Sequence, residues 1–331
     1  MREAQVGPRR RRGGPRRQRF VAAGLALLTV LGLAAVTGAG EAGARIGGTQ
    51  LGLQQFTVGG CGMPAVKVRA WKRPGNYKTV ILLDGMRAQY DYSGWEINTN
   101  VQEMVRSGVN VVEPIGGPAS FYTDWDAPSN FNGQRYRYTW NCVITRTLIQ
   151  GLDARGFRVG NGKYAIAGVS MGGNAALTIA AQNRNNFDRA ASLSGYNFLS
   201  APGMHTAIRL AMLDVDPKPW NSDSMWGPPW SPRWYANDPF MNINKMQGMK
   251  VFVGSGNGLF GRYNQLALPN VFDDLFKGST LEFLALTQAK AFEAAALLQG
   301  INIMDYSSPG THAWGYWQDM MWNAKARGFF R

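Results

Sequence analysis

The segment Tyr164-Ala-Ile-Ala-Gly-Val-Ser170-Met-Gly-Gly173, with the small-residue run that continues to Ala181, decides the fold class of this 331-residue chain. Its first four residues predict a buried strand, and the Gly- and Ala-rich run that follows predicts a helix. Between them stands G-x-S-x-G, from Gly168 to Gly172, which forms a nucleophile elbow when it joins a strand to a helix. A Ser/Gly turn with no catalytic role could have the same sequence, but the flanking strand and helix favour Ser170 as a nucleophile.

Other short apolar runs predict further buried strands, at 79–83, 109–112, 190–193, 249–253 and 301–304. Helical patterns lie between several of these runs, at 99–107, 142–152 and 281–298. Strands that alternate with helices predict a mainly parallel α/β sheet that is covered by helices on both faces.

The segment 217–239 has a different character, because it contains four tryptophans (220, 226, 230 and 234) and six prolines. A Trp spacing of four would suit a helix, but prolines at this density exclude one. We therefore expect a packed irregular insertion, either a structural cap over the sheet or an aromatic wall of a sugar or lipid site.

Residues 1–44 are predicted to be a signal peptide and not part of the fold. Eight Arg occur within the first 19 residues, an apolar stretch follows from Phe20 to about Val36, and Ala42-Gly-Ala44 provides a small-x-small cleavage site. A retained membrane anchor is the alternative, which the shortness of the apolar run disfavours. Residues 45–331 show no internal repeat or linker, so we expect one domain, secreted to the cell envelope.

Charge and composition narrow the function classes further. The formal net charge is +14, and segment 1–44 contributes eight Arg against two Glu. The remainder has no Lys/Arg run with interleaved aromatics, which argues against nucleic-acid binding and suits an anionic envelope or membrane surface. Two His and two Cys exclude a zinc ribbon and argue against a His-rich metal site. Export favours a Cys61–Cys142 disulfide over two buried free thiols.

A nucleophilic Ser needs a base, and the chain offers only His205 and His312. His312 follows the last predicted strand, so it completes the order Ser, acid, His that α/β-hydrolases show. His205 lies only 35 residues after Ser170 and opens a helical run, which makes it the weaker candidate. The acid should follow the fifth predicted strand, and the residues alone leave Asp273, Asp274 and Glu282 open.

Two further features concern backbone groups. An oxyanion hole needs two N–H groups, which we expect from Met171, directly after the nucleophile, and from Met86, in the loop after the strand 79–83. The motif Gly256-Asn-Gly258-Leu-Phe-Gly261 matches G-x-G-x-x-G, but Arg262-Tyr-Asn-Gln is a poor helix start, and the preceding strand is not the first of the sheet. We therefore expect a glycine-rich loop and no cofactor.

Taken together, these segments resemble the antigen 85 mycolyltransferase family of mycolic-acid bacteria over roughly 65–325. The resemblance depends on their order and spacing: Leu82-Leu-Asp84-Gly-Met86-Arg87-Ala-Gln89, Asp91-Tyr-Ser-Gly-Trp95-Glu-Ile-Asn98-Thr99, Gly116-Gly117 with Ser120-Phe-Tyr-Thr-Asp124-Trp125, the elbow 168–172, Ala191-Ser-Leu-Ser194-Gly195, Met225-Trp-Gly-Pro228, Asn237-Asp-Pro239, Gly256-Asn-Gly258, and Gly310-Thr-His312-Ala-Trp314 with Tyr316-Trp317.

The resemblance implies an α/β-hydrolase fold and assigns roles to individual residues. It implies Ser170 as nucleophile, His312 as base, Met86 and Met171 as oxyanion donors, and Glu282 in preference to Asp274 as the acid. It also implies substrate binding by a second set of residues: Asp84, Arg87, Asn98, Ser194 and Trp314. The chain departs from the family pattern at three places. Ser255 stands where the family commonly has a cysteine, and Cys61 and Cys142 do not match the usual cysteine positions of the family. The stretch 268–279 aligns poorly.

The implied activity is transfer of mycolic acyl groups through a serine acyl-enzyme. The implied substrates are trehalose mycolates, and the implied acceptors are trehalose, trehalose monomycolate and cell-wall arabinogalactan. The alternatives are a secreted carboxylesterase that uses the same residues and a catalytically inactive relative that binds the cell wall.

Overall fold

The computed structural model describes residues 51–213, 215, 218–264 and 274–331. The predicted signal peptide 1–44 and the candidate acid Asp273 lie outside the described residues. Eight strands in the described part of the chain form one sheet. They are β1 Leu53–Val58, β2 Val66–Trp71, β3 Lys78–Leu83, β4 Val109–Pro114, β5 Tyr164–Val169, β6 Phe187–Leu193, β7 Lys250–Gly256 and β8 Ile303–Ser308.

The strand order is β1-β2-β4-β3-β5-β6-β7-β8. Strand β2 is antiparallel to both of its neighbours, and every pairing from β4 to β8 is parallel. The register aligns the carboxyl ends, because Leu83 pairs with Gly168, Val169 with Leu193 and Gly256 with Ser308. Loops that follow these strands therefore meet at one edge of the sheet.

Side chains of the central strands alternate between two hydrophobic clusters, one on each face of the sheet. In β3, Ile81 and Leu83 join one cluster, whereas Val80 and Leu82 join the other. This alternation follows from the two-residue period of a strand. A sheet buried on both faces explains why the predicted strands are continuous apolar runs.

Helices cover both faces. They are α1 Gly94–Asn98, α2 Val101–Arg106, α3 Trp140–Cys142, α4 Leu148–Asp153, α5 Met171–Gln182, α6 Met204–Leu213, α7 Ser222–Trp226, α8 Pro232–Ala236, α9 Thr280–Leu298 and α10 Trp314–Ala326. Two π-helical turns, Val143–Thr147 and Asp274–Ser279, and a 3₁₀ helix, Phe240–Met246, complete the described helical elements. None of the helices within the described residues is long and apolar enough to cross a membrane.

The predicted α/β architecture is confirmed, and the six predicted strands correspond to β3–β8. The last of them begins two residues later than predicted, at Ile303. The sequence analysis missed β1 and β2. Their sequences, LQQFTV and VKVRAW, mix polar and apolar residues. The edge strand β1 is only partly covered, whereas β2 is almost fully buried and its polar Arg69 is buried through an ion pair with Glu96.

The Trp/Pro-rich insertion is packed, as expected, but it contains two five-residue helices. Pro232 is the first residue of α8, a position where the missing N–H costs nothing. Trp226 and Trp234 are buried with ring centroids 4.9 Å apart, while Trp230 is 55% exposed. The insertion therefore contributes to the core on one face of the sheet.

Cys61 and Cys142 form a disulfide, which confirms the favoured pairing. Their Cα atoms are 5.9 Å apart and 81 positions apart in the chain. The bond ties the connection between β1 and β2 to α3. Closing so long a loop stabilises the fold mainly by restricting the unfolded chain.

Candidate active site

The nucleophile elbow lies where β5 meets α5, at the carboxyl edge of the sheet. Ser170 adopts the positive φ of +52°, which is strained for a residue with a side chain, and it is 8% exposed. A Cβ at Gly172 would lie 2.5 Å from the Asp84 carbonyl oxygen, and one at Gly168 would overlap the Gly172 backbone. Only glycine fits both positions, and this explains the G-x-S-x-G pattern.

Glu282 and His312 form the central contact of the site. The Glu282 carboxylate, fully buried at the start of α9, lies 2.7 Å from His312 Nδ1 through its Oε2 atom. The other oxygen, Oε1, accepts hydrogen bonds from Ser194 Oγ at 2.6 Å and from the Gly256 amide. The side chain of Asp274 lies outside the described residues. Glu282 is therefore the candidate acid that the structure brings to the imidazole.

The surroundings of His312 hold its ring in one orientation. The His312 amide donates to the Gly278 carbonyl at 3.1 Å. Tyr196 stacks on the ring at 6.3 Å between centroids, and Trp317 meets it edge-on at 5.0 Å. Because Nδ1 faces a carboxylate, the neutral ring carries its proton there, which leaves Nε2 as a proton acceptor.

Ser170 and His312 lie at the same edge of the sheet, but no hydrogen bond joins the serine Oγ to the imidazole Nε2. Both atoms are without a hydrogen-bond partner among the described residues. In enzymes without substrate, catalytic hydrogen bonds are often long and shorten only when substrate is bound.

The sequence predicts an oxyanion hole formed by the backbone amides of Met171 and Met86. Met171 is the first residue of α5, so its N–H has no carbonyl partner within the helix. Met86 follows Gly85, where a Cβ would lie 3.5 Å from Ser170 Cβ. The Met86 carbonyl accepts from the Ala119 amide at 3.0 Å, which fixes this peptide segment.

Asp84 lies at the end of β3 and is 2% exposed. Its Oδ1 accepts from Ser93 Oγ at 2.9 Å and from the Gly94 amide at 3.1 Å, whereas Oδ2 has no partner in the described structure. Burial raises the pKa of Asp84 to about 6. Asp84 thus places a buried carboxylate oxygen without a hydrogen-bond partner in the described structure at the end of β3.

The other residues with predicted substrate contacts divide into two groups. Trp314 packs against Gly94, next to Asp84, and Asn98 is exposed and donates to the Gly94 carbonyl at 3.0 Å. Arg87 is exposed three residues after Asp84. Ser194 is fully buried, and in this structure its hydroxyl contacts Glu282 and accepts from Trp317 Nε1 at 2.9 Å. It therefore lies behind the acid, away from the surface of the site.

The second histidine lies apart from this constellation. His205 is in α6, edge-on to Trp234, with its Nε2 atom 3.7 Å from Asp223 Oδ1. Burial lowers its pKa. It belongs to the packing of the insertion, so the structure brings only His312 to the predicted acid.

The glycine-rich loop after β7 packs against the start of α9. The Gly256 amide binds Glu282, and a Cβ at Gly258 would lie 2.8 Å from the Ser279 carbonyl oxygen. Its close-packed glycines thus support the acid. Across the described residues, no cluster of three or more His, Cys, Asp or Glu has a geometry that could hold a metal ion.

Trp317 and Tyr196 are the neighbours of the site whose roles sequence reasoning missed. Trp317 lies five residues after His312, one turn into α10, and it contacts both the imidazole and Ser194. Tyr196 lies two residues after Ser194. The sequence signal that could have found both residues is their position, since each lies within five residues of a residue already singled out, His312 or Ser194.

Comparison of the sequence with known proteins identifies close relatives. Residues 63–327 match the family model named Esterase. The chain is 34% identical over 311 residues to diacylglycerol acyltransferase/mycolyltransferase Ag85C of Mycobacterium avium. The aligned region covers 93% of this chain and 85% of the relative. It is 36% identical over 252 residues to the protein of the same name from Mycobacterium leprae, covering 75% and 72% respectively.

Solved structures show the same fold. The crystal structure of Mycobacterium tuberculosis MPT51 (FbpC1) matches with a TM-score of 0.68 and 24% identity, over 84% of this chain and 99% of that one. The serine hydrolase FphF of Staphylococcus aureus matches with a TM-score of 0.60 and 14% identity, over 83% and 97%. The chain thus has the α/β-hydrolase architecture of these proteins.

Proposed function

Because the chain belongs to the mycolyltransferase family of the esterases, we propose that it transfers mycolic acyl groups through a serine acyl-enzyme. The observation that carries this proposal is the buried Glu282–His312 pair, which stands at the edge of the sheet where the strained elbow presents Ser170. A carboxylate, an imidazole and a serine in this arrangement are the parts of a nucleophilic acyl-transfer site.

The first half-reaction forms the acyl-enzyme. His312 Nε2 takes the Ser170 proton while Oγ attacks the ester carbon of a trehalose mycolate. The Met86 and Met171 amides stabilise the resulting oxyanion. The imidazolium, held by Glu282, then protonates the departing sugar oxygen. The products are trehalose and an ester between Ser170 and the acyl group.

The second half-reaction passes the acyl group to a new hydroxyl. A sugar acceptor, trehalose monomycolate or an arabinan chain, gives its proton to His312 and attacks the acyl-enzyme. Asp84, Arg87, Asn98 and Trp314 are proposed to hold that sugar. Asp84, Asn98 and Trp314 each contact the start of α1, and Arg87 is exposed in the loop that follows Asp84. Ser194 is proposed to act by holding Glu282, since it is buried behind the carboxylate. Transfer exceeds hydrolysis when the bound sugar keeps water from the acyl-enzyme.

We further propose that residues 45–331 form one catalytic domain that is secreted after removal of 1–44 and works in the cell envelope. Amino-terminal sequencing of the exported protein tests this cleavage. A mature chain that begins close to residue 45 is expected, and a chain that retains the apolar segment would contradict it.

The activity test uses labelled trehalose with trehalose monomycolate, followed by lipid chromatography. We expect labelled mycolate esters from the wild type and a loss of several orders of magnitude for Ser170→Ala. Ser307→Ala, an exposed serine on β8, serves as the matched control and should retain activity. Release of free mycolic acid alone would identify a carboxylesterase. Failure of a fluorophosphonate probe to label Ser170 would identify an inactive wall-binding protein.

A further inference from the structure

A series of buried hydrogen bonds leads from α10 to the candidate acid and base, and we call it the indole network: Trp317, Ser194, Glu282 and His312. Trp317 Nε1 donates to Ser194 Oγ at 2.9 Å, and Ser194 Oγ donates to Glu282 Oε1 at 2.6 Å. Glu282 Oε2 in turn lies 2.7 Å from His312 Nδ1. Trp317, Ser194 and Glu282 are all buried, so bulk water does not compete for these bonds.

The backbone of Ser194 is fixed at the carboxyl end of β6. Its φ is +52°, a strained value for a residue with a side chain, and its amide donates to the Gly254 carbonyl of β7 at 2.7 Å. The hydroxyl hydrogen has more freedom, because a serine hydroxyl both donates and accepts, and its hydrogen rotates to suit its neighbours. A second contact is therefore needed to direct that hydrogen towards Glu282.

The indole of Trp317 supplies this contact. An indole N–H can only donate, so it occupies an acceptor position of Ser194 Oγ and cannot receive the hydroxyl hydrogen. The hydroxyl hydrogen then points at Glu282 Oε1, where it makes a charge-assisted hydrogen bond, a stronger type than a bond between neutral groups. Hydrogen bonds in series also polarise one another, so the indole strengthens the bond that Ser194 makes to the carboxylate.

The two oxygens of Glu282 have separate tasks as a result. Oε1 accepts from Ser194 Oγ and from the Gly256 amide, and these two donors hold the carboxylate from one side. Oε2 is left to face His312 Nδ1. The ring of Trp317 also meets the imidazole edge-on, with 5.0 Å between the centroids. One side chain of α10 therefore supports the orientation of both the acid and the base.

We propose that Trp317 is a positioning residue for acyl transfer: it directs the Ser194 hydroxyl at Glu282 and so keeps the carboxylate oriented towards the imidazole of His312. This inference rests on the proposed function, since it takes Glu282 and His312 to be the groups that activate Ser170. Trp317 is only 6% exposed and Ser194 is fully buried. The network therefore affects kcat and leaves KM for a small ester unchanged.

The test measures kcat and KM for a soluble butyrate ester in Trp317→Phe, Ser194→Ala and the double variant. Replacing Trp317 by 3-benzothienylalanine, which has the shape of tryptophan but no N–H, removes the donor alone and serves if Trp317→Phe does not fold. The matched control is Trp322→Phe on the same helix, whose Nε1 donates to Asn100 Oδ1 at 2.9 Å. Proton NMR of the His312 Nδ1 hydrogen reports the contact with Glu282 independently of turnover, and urea denaturation reports folding.

We expect kcat to fall about two- to tenfold in both variants at position 317, as the loss of one hydrogen bond predicts, while KM is unchanged and Trp322→Phe keeps the wild-type kcat. In the Ser194→Ala background, Trp317→Phe should cause no further loss, because the indole acts through the hydroxyl. The His312 Nδ1 hydrogen should exchange with solvent faster in Trp317→Phe, since the carboxylate is held less firmly. Additive losses in the double variant would overturn the proposal, as would wild-type kcat with benzothienylalanine.

The same measurements separate this proposal from the proposed function. If the ester is hydrolysed but no mycolyl group is transferred, the proposed function fails and the indole network is still judged on kcat. If Ser170→Ala keeps its hydrolysis, the proposed function also fails, and the His312 Nδ1 hydrogen then decides. Faster exchange in Trp317→Phe would support the role of the indole, and unchanged exchange would overturn it.

Discussion

Replacing Glu282 by Gln tests the role of the acid at the level of single hydrogen bonds. The Gly256 amide points at Oε1 and can only donate, so the side-chain amide introduced by Glu282→Gln must place its oxygen there. The amide nitrogen then faces His312 Nδ1, where Glu282 Oε2 now lies at 2.7 Å. Because that nitrogen donates, Nδ1 must accept, and the imidazole proton moves to Nε2.

The size of the effect follows from this change of tautomer. An imidazole that carries its proton on Nε2 cannot accept the proton of Ser170, and a neutral amide cannot stabilise the imidazolium that forms. The corresponding acid-to-amide change in a serine protease triad lowers kcat by about 10⁴, which corresponds to roughly 5 kcal/mol of transition-state stabilisation. The same order is expected here, with little change in the stability of the fold, since the shape of the side chain is kept.

The assay compares kcat for a soluble ester and for mycolyl transfer in the wild type, Glu282→Gln and Glu293→Gln. Glu293 is on the same helix and pairs with Lys290, so its variant controls for loss of a carboxylate from α9. Nitrogen NMR of His312 should show the proton on Nδ1 in the wild type and on Nε2 in Glu282→Gln. A Glu282→Gln enzyme with more than about a tenth of wild-type kcat would refute this reasoning.

Three other expectations concern the disulfide and two buried acids. Cys61→Ser/Cys142→Ser should lose roughly 4–5 kcal/mol of unfolding free energy by the loop-closure estimate for 81 positions, measured by urea denaturation, and an unchanged midpoint would contradict it. Burial raises the pKa of Glu113 well above its usual value, and neither of its oxygens has a partner in the described structure. The folded state therefore keeps a proton that the unfolded state releases, so stability falls as pH rises above the unfolded pKa. The free energy of unfolding should fall by at most about 1.4 kcal/mol per pH unit. Glu113→Gln should remove this pH dependence in urea titrations at several pH values. Burial raises the pKa of Asp84 to about 6, and the protonated carboxyl should accept a weaker hydrogen bond from a sugar hydroxyl than the carboxylate does. The KM for trehalose should therefore rise as the pH falls through that value. Asp84→Asn should flatten that profile, and a variant with the wild-type pH dependence would exclude Asp84 from sugar binding.

The elbow, the central strands and the candidate base were predictable because each is encoded within a few residues. G-x-S-x-G requires glycine where backbones approach within van der Waals contact, and a strand buried on both faces must be apolar throughout. The strand β1 escaped prediction because a partly exposed edge strand mixes polar and apolar residues, and β2 escaped it because its polar Arg69 is buried only through the ion pair with Glu96. Their assignment depends on pairing with a sheet that local patterns do not reveal.

The tertiary structure alone decided which distant residues meet. The residues left three acids open, and the sheet register brings Glu282 to His312 across 30 positions and to Ser194 across 88. It likewise placed Ser194 behind the acid, away from the surface. The sequence by itself therefore determined the class of fold and the candidate nucleophile, since both follow from short-range sterics and hydrophobic periodicity. The candidate acid and base follow different strands, and only the packing of the whole sheet brings Glu282 and His312 together.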